Sequence, residues 1–302
     1  MREEYLTFRS KTDGLTIHAV LAAPDSGVKG TVLMAHGIME YKERYLPLMR
    51  FLARNGYACM MNDHRGYGKS VKAPEDNGYT YGGGAKATIQ DFETLGEMLK
   101  ERFPGIGMHL YGHSMGALIA VNYLKTHSGE LESAILSGLP ENNPAAGAGK
   151  QYLKLRKMLK GDRFRDENVN KLMFKSYASA FKGETSPHAW INSSKERVKE
   201  YEADPLCGNL GTVDGYLSLI DLLIGAYDKK GFVRVFGSLP VHILVGADDP
   251  CAGNRAGAEK SAEALRKAGF TKTEVKAYPG RRHEIHNEDN WAEVYADILE
   301  RL

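Results

Sequence analysis

Five residues, Gly112-His113-Ser114-Met115-Gly116, carry the strongest chemical signal in the 302-residue sequence. They follow a short apolar run, Met108 to Tyr111, and precede a helical pattern. A strand that feeds a helix through so tight a turn forces strained backbone on the serine, and glycines two residues to either side remove the Cβ atoms that would clash. The hydroxyl is thereby held in the open. The first helical N–H groups and the positive end of the helix dipole then point at any oxygen that becomes negative beside it. A serine hydroxyl is a weak nucleophile until a base takes its proton, so the arrangement demands a histidine, and a nucleophile of this kind is followed along the chain by its acid and then its base. Ala247-Asp248-Asp249-Pro250 comes after the apolar run ending Leu244-Val245-Gly246. That places an acid at the carboxyl end of a strand, where open α/β sheets build their sites. Tyr278-Pro279-Gly280 then turns the chain into Arg281-Arg282-His283-Glu284-Ile285-His286. The residues alone do not choose between Asp248 and Asp249, or between His283 and His286, because each pair lies in one loop.

The elements that must position these groups are legible as a rhythm. Strand-like segments at Tyr5 to Arg9 and Leu15 to Ala23 flank Asp13-Gly14 and predict an antiparallel hairpin. Thr31 to Ala35, Tyr57 to Asn62, Met108 to Tyr111 and Glu132 to Leu136 are short, apolar and suited to buried parallel strands. Leu46 to Arg54, Ala85 to Arg102 and Met115 to Lys125 have apolar residues at intervals of three and four and suit crossover helices. The rhythm returns with strands at Val241 to Val245 and Glu274 to Tyr278 and helices at Ala256 to Ala268 and Asn290 to Leu302. The ends therefore make one doubly wound, mostly parallel sheet of eight strands. From Leu139 to about Leu210 no strand is evident, and a helical insertion is expected, giving a division into 1–138, 139–210 and 211–302. A helix over Thr212 to Tyr227 returns to the sheet, and Gly231 to Leu239 links it to the next strand.

Composition excludes several classes. With 40 Lys plus Arg against 38 Asp plus Glu, the net charge of +2 is too balanced for nucleic-acid binding or a polybasic anchor. The start, Met1-Arg2-Glu3-Glu4, lacks the pattern of a secretory signal, no apolar stretch of 18 residues occurs, and a cytoplasmic location is expected. Cys59, Cys207 and Cys251 are odd in number and lack metal-ligand spacing, so they read as reduced and structural, and no metal is expected. Asp63 to Ser70 lacks the spacing of a phosphate cradle and reads as a loop buttress. His113 is expected to point away from the substrate, since adjacent side chains diverge at a sharp turn. In the insertion, Tyr152, Leu155, Met158 and Leu159 form an apolar stripe with Lys150, Lys154, Arg156, Lys157 and Lys160 on the remaining positions. Two readings compete. The stripe packs on the main body with its charges solvated, or the helix makes transient contact with an anionic membrane or micelle surface.

The chain resembles the α/β-hydrolases of the monoacylglycerol lipase and lysophospholipase type, a group adjoining the serine aminopeptidases. The resemblance rests on His36-Gly37, Asp63-His64-Arg65-Gly66-Tyr67-Gly68-Lys69-Ser70, Gly112 to Gly116, Gly246-Ala247-Asp248-Asp249 and Gly280 to His283. It covers nearly the whole chain. It implies the α/β-hydrolase fold with the insertion as a helical cap, Ser114 as nucleophile, Asp249 as the acid, His283 as the base, and the backbone N–H groups of Ile38 and Met115 as an oxyanion hole. His36 is then a loop organiser, because one activated serine needs one base. Trp190, Tyr201 and Asp204-Pro205-Leu206-Cys207-Gly208 look similar to caps of bacterial lysophospholipase-type members. The implied activity is hydrolysis of a small or lipid-like carboxylic ester without a cofactor. A serine aminopeptidase or amidase, or a non-catalytic ligand-binding protein of the same fold, is the alternative. Acyl length, head group and oligomeric state are left open.

Overall fold

A computed structural model describes residues 1–232 and 235–302. Strands β1 (Arg2–Arg9), β2 (Thr16–Ala23), β3 (Gly30–Ala35), β4 (Tyr57–Asn62), β5 (Met108–His113), β6 (Ser133–Ser137), β7 (Val241–Gly246) and β8 (Thr273–Tyr278) form one sheet in the order β1-β2-β4-β3-β5-β6-β7-β8. β2 is antiparallel to both β1 and β4, and every pair from β4 to β8 is parallel. The chain steps outward from β3 to β4 and then returns across β3 to β5. The carboxyl ends of β3 and β5 thus flank a topological switch point, the crevice where such sheets bind ligands.

Both faces of the sheet are covered. Helices α1 (Leu46–Arg54) and α9 (Trp291–Glu300) pack over Val32, Met34, Cys59 and Met61. Helices α2 (Gly84–Arg102), α3 (Met115–His127), α7 (Val213–Tyr227) and α8 (Asn254–Lys267) pack over Leu33, Met60 and Leu110. Consecutive residues of β3 and β4 therefore enter opposite cores, which is why these strands read as unbroken apolar runs. Edge strand β1 instead alternates in exposure, with Glu3 and Glu4 among its residues.

Between β6 and β7 lie α4 (Ala146–Lys160), α5 (Glu167–Ser179), α6 (Lys195–Ala203) and then α7, with no strand among the described residues. The expected link from Gly231 to Leu239 falls partly outside those residues, at positions 233 and 234. Among the described residues no helix is long and apolar enough to cross a membrane.

The packing of α4 corrects the first reading of its sequence. Tyr152, Leu155, Met158 and Leu159 are 38%, 47%, 75% and 61% exposed, so the stripe faces outward. The inward face carries Leu153 together with three of the basic residues. Lys150 pairs with Asp221 at 2.6 Å, Arg156 with Asp166 at 2.5 Å and Lys157 with Asp214 at 3.2 Å. The reason is the neighbour: α7 presents Asp214 and Asp221, while Asp166 caps α5 by accepting from the Asn168 and Val169 N–H groups. Three ion pairs fix the helix in the orientation that its apolar residues alone would disfavour.

The 63–70 loop is a buttress in fact. Arg65 is fully buried, donating to Asp91 at 2.8 Å, to Asp13 at 3.0 Å and to the Ser10 hydroxyl at 2.7 Å, and so joins the β1–β2 turn, this loop and α2. Breaking a buried pair strands the remaining charge. Arg65→Ala is expected to lower unfolding free energy by about 3–5 kcal/mol in urea titration, and a loss below about 1 kcal/mol would show that the pair does not hold the loops together.

Candidate active site

Ser114 sits between β5 and α3 with φ 53° and ψ −118°, a backbone strain that β-carbon-bearing residues seldom adopt. Its N–H donates to the Ser137 carbonyl at 2.9 Å, extending the pairing of β5 with β6. The turn is tight enough that a Cβ on Gly112 would lie 2.4 Å from the Gly116 carbonyl, and one on Gly116 would lie 2.2 Å from the Ala35 carbonyl. The two glycines therefore let α3 rest against the end of β3. This brings Ser114 beside the loop that follows β3.

Asp249 is fully buried after β7, with one carboxylate oxygen accepting from the Cys251 N–H at 2.8 Å and the Ala252 N–H at 3.3 Å. The other oxygen lies 2.8 Å from His283 Nδ1. Asp248 is exposed, and His286 stacks on Tyr45 with ring centres 4.7 Å apart. The structure thus brings Asp249 and not Asp248 to a histidine, and that histidine is His283. Burial alone would lower the His283 pKa, but the charge of Asp249 and the hydrogen bond to it outweigh burial and raise it above 6.5. His286 has no such partner and is pushed down to about 3 by burial. His283 Nε2 is buried with no hydrogen-bond partner among the described residues.

His283 and Ser114 line one cavity, with Gly37, Ile38, Met39 and Glu40 on one side and Phe174, His188, Trp190, Ile191 and Tyr201 on the other. The Trp190 ring lies 5.0 Å from the His283 ring. Among the described residues, the backbone N–H groups of Ile38 and Met115 donate to no backbone carbonyl. His36 organises its loop: Nε2 accepts from the His64 N–H at 2.9 Å, and burial pushes its pKa down to about 3. His113 adjoins His283. The residue borders the cavity, and its buried ring lies 4.7 Å from the rings of both His283 and His286, where Gly138 leaves room for it. Burial holds it well below 6.5 and therefore neutral. Cys59, Cys207 and Cys251 are free and buried, and burial followed by the nearby Asp249 raises the Cys251 thiol well above 9.0.

The sequence did not disclose the charged cluster beneath the cavity. Arg44 donates to both oxygens of Glu284 at 2.7 Å and to Glu40 at 2.6 Å. Glu40 also accepts from the Gly37 N–H at 2.5 Å and the Tyr45 hydroxyl at 2.7 Å. Burial would raise Glu284, but the bidentate Arg44 outweighs it and holds the carboxyl below 4.5, whereas burial dominates at Glu40 and raises it. The negative charge therefore sits mainly on Glu284. Its position directly after His283 was a local signal, but Glu40 and Arg44 lie some 240 residues away in sequence.

A carboxyl held below its ordinary pKa contributes stability above pH 4.5 and loses it as the pH falls through the folded-state value. Arg44→Met removes that contribution and leaves two buried carboxylates together, with an expected deficit of about 3–5 kcal/mol at neutral pH. Urea titrations of parent and variant should show the deficit narrowing on acidification below pH 4.5. A constant deficit would mean that lost packing, not charge, causes it.

Residues 26–290 match the family model described as serine aminopeptidase, S33. A monoacylglycerol lipase from Mycolicibacterium smegmatis is 26% identical over 285 residues, covering 91% of this chain and 88% of the relative. A monoglyceride lipase from Saccharomyces cerevisiae is 28% identical, covering 85% and 78%. A thermostable carboxyl esterase from Bacillus coagulans, solved in complex with glycerol, superposes with a TM-score of 0.92 at 25% identity over 99% of this chain and 97% of that one.

Proposed function

The chain belongs to the serine aminopeptidase S33 family, with the α/β-hydrolase fold, and is a carboxylic ester hydrolase; on that premise we propose that it cleaves lipid-like esters through Ser114, His283 and Asp249. The observation that carries this reading is the His283 imidazole. Its Nδ1 is held by a buried carboxylate, and its Nε2 has no partner among the described residues beside the cavity that contains the strained serine. Ser114 Oγ attacks the ester carbonyl as its proton passes to His283 Nε2, while Asp249 fixes the tautomer and stabilises the imidazolium. The oxyanion accepts from the Ile38 and Met115 N–H groups, each such donor contributing about 3–4 kcal/mol at the transition state. The carbon–oxygen bond of the ester breaks, and the alcohol leaves with the proton from His283. Water then gives a proton to His283 and attacks the acyl-enzyme, releasing the acid and regenerating Ser114.

An ester substrate is favoured over a peptide N-terminus by the charges of the cavity. An α-ammonium group needs a free carboxylate. Glu40 and Glu284 are both committed to Arg44, and Glu202 of the covering segment is paired with His188 and Ser186. Ile38, Met39, Phe174, Trp190 and Ile191 instead supply apolar walls suited to an acyl chain. Residues 139–210 act in this reading as a cap. Their exposed Leu155, Met158 and Leu159 form the face that rests on a membrane or micelle, and because Lys150, Arg156 and Lys157 are held in ion pairs on the inward side, only Lys154 and Lys160 are left to add charge to a mainly apolar attraction.

Ser114→Ala or His283→Ala should lower kcat by about four to six orders of magnitude, and Asp249→Asn by about four, with thermal unfolding little changed. An imidazolium cannot accept a proton, so kcat/KM should rise with pH through a midpoint above 6.5. Asp249→Asn should move that midpoint down. Labelling of Ser114 by a fluorophosphonate tests the nucleophile directly, and a parent protein that neither labels nor hydrolyses p-nitrophenyl esters would sink the proposal.

The double variant Met158→Ser, Leu159→Ser should reduce turnover of monoacylglycerol presented on vesicles by about threefold or more while sparing a soluble short-chain ester, since each exposed side chain removed subtracts about 1–2 kcal/mol of apolar burial in the interface. The defect should persist at high salt. Equal rates for variant and parent on vesicles would show that this face does not dock.

A further inference from the structure

The cavity holds few polar atoms that a substrate could use. Glu40 and Glu284 are saturated by Arg44, Tyr45 and the Gly37 N–H, and the Tyr201 hydroxyl is directed at the Met39 carbonyl at 3.4 Å. His188, on the segment between α5 and α6, differs from them. Its side chain is 31% exposed and lines the cavity, whereas its Nδ1 lies 2.9 Å from Glu202, which does not. Ser186 completes the mounting: its hydroxyl donates to Glu202 at 2.6 Å and accepts from the His188 N–H at 2.9 Å. Among the described residues no protein group pairs with Nε2.

A neutral imidazole that donates from Nδ1 to a carboxylate carries its lone pair on Nε2. We propose that His188 is a specificity-determining residue whose Nε2 accepts a hydrogen bond from a hydroxyl on the alcohol part of the ester. The proposal rests on the hydrolase reading above and selects within it an uncharged polyol ester over a phosphate-bearing lysolipid. A lysophospholipid can offer its free glycerol hydroxyl to the same acceptor, so selection against it falls on the phosphate, which has no hydroxyl donor of its own. Nor does the cavity supply a free cation for it, since Arg44 is neutralised and both Glu40 and Glu284 would face the phosphate.

The experiment compares three substrates of one acyl chain, a monoacylglycerol, a p-nitrophenyl ester and a lysophosphatidylcholine, in the parent, His188→Asn and His188→Gln. Asparagine keeps an amide near Nδ1 for Glu202 and has nothing in the position of Nε2, while glutamine reaches further and can return an acceptor. In His188→Asn the ratio of kcat/KM for monoacylglycerol to that for the p-nitrophenyl ester should fall about three- to tenfold, the value of one neutral hydrogen bond, with the change in KM. His188→Gln should recover part of it. An unchanged ratio, or a loss confined to lysophosphatidylcholine, would overturn the assignment while leaving ester hydrolysis by Ser114 intact. A parent that hydrolyses none of the three overturns the hydrolase reading and this one with it.

Discussion

Ser114 holds φ 53° because the chain on both sides of it is already committed. All of β5 is buried and paired with β3 and β6, and α3 cannot shift, since Gly116 lies against the carbonyl of Ala35. Strain of this kind costs on the order of 1–3 kcal/mol and survives only where the surroundings over-determine the backbone. The consequence is positional. Once α3 abuts the end of β3, the 36–40 loop must pass beside the serine, and that loop carries its own left-handed residue, Met39, at φ 55°.

The charges beneath the cavity then join the loops to one another. Glu40 holds the Gly37 N–H, Arg44 bridges Glu40 to Glu284, and Glu284 adjoins His283, so the loops after β3 and β8 cannot move independently. The covering segment is tied to the same unit. The Ile191 carbonyl accepts from the Glu284 N–H at 2.8 Å, Arg282 donates to the Ala189 and Asn192 carbonyls, and the Met39 carbonyl accepts from the Gly208 N–H at 3.1 Å. Trp190 is therefore anchored above His283 through the backbone of the loop that carries it. Among the described residues α4 and α5 make no such backbone bonds to these loops.

The strand segments and the serine turn were legible because each is dictated locally, by apolar runs that must be buried and by glycines that must sit against backbone. The choice of Asp249 was not. What separates it from Asp248 is burial and two N–H donors, from Cys251 and Ala252, which depend on how the chain turns after β7. Glu40, Arg44 and Glu284 carry no pattern at all until β3 and β8 stand in one sheet, and His188 gains its meaning only from Glu202 fourteen residues away.

Helix α4 makes the same point about energy. An amphipathic pattern specifies two faces but not which of them meets the protein, and burial of the apolar face is only the default. Here the neighbours are Asp214 and Asp221 on α7 and the capping Asp166, and an apolar stripe set against them would leave those carboxylates without a cation. Asp214 is nearly buried and also accepts from the Thr80 hydroxyl and the Gly82 N–H, so it is fixed before α4 arrives. Stranding a buried carboxylate costs about 3–5 kcal/mol, and both Asp214 and Asp166 are buried. Lys150, Arg156 and Lys157 thus face inward for a reason that has nothing to do with lipid. The apolar side chains are left outside as the remainder of that choice, and they give the covering segment an outer surface to which water has the weakest claim.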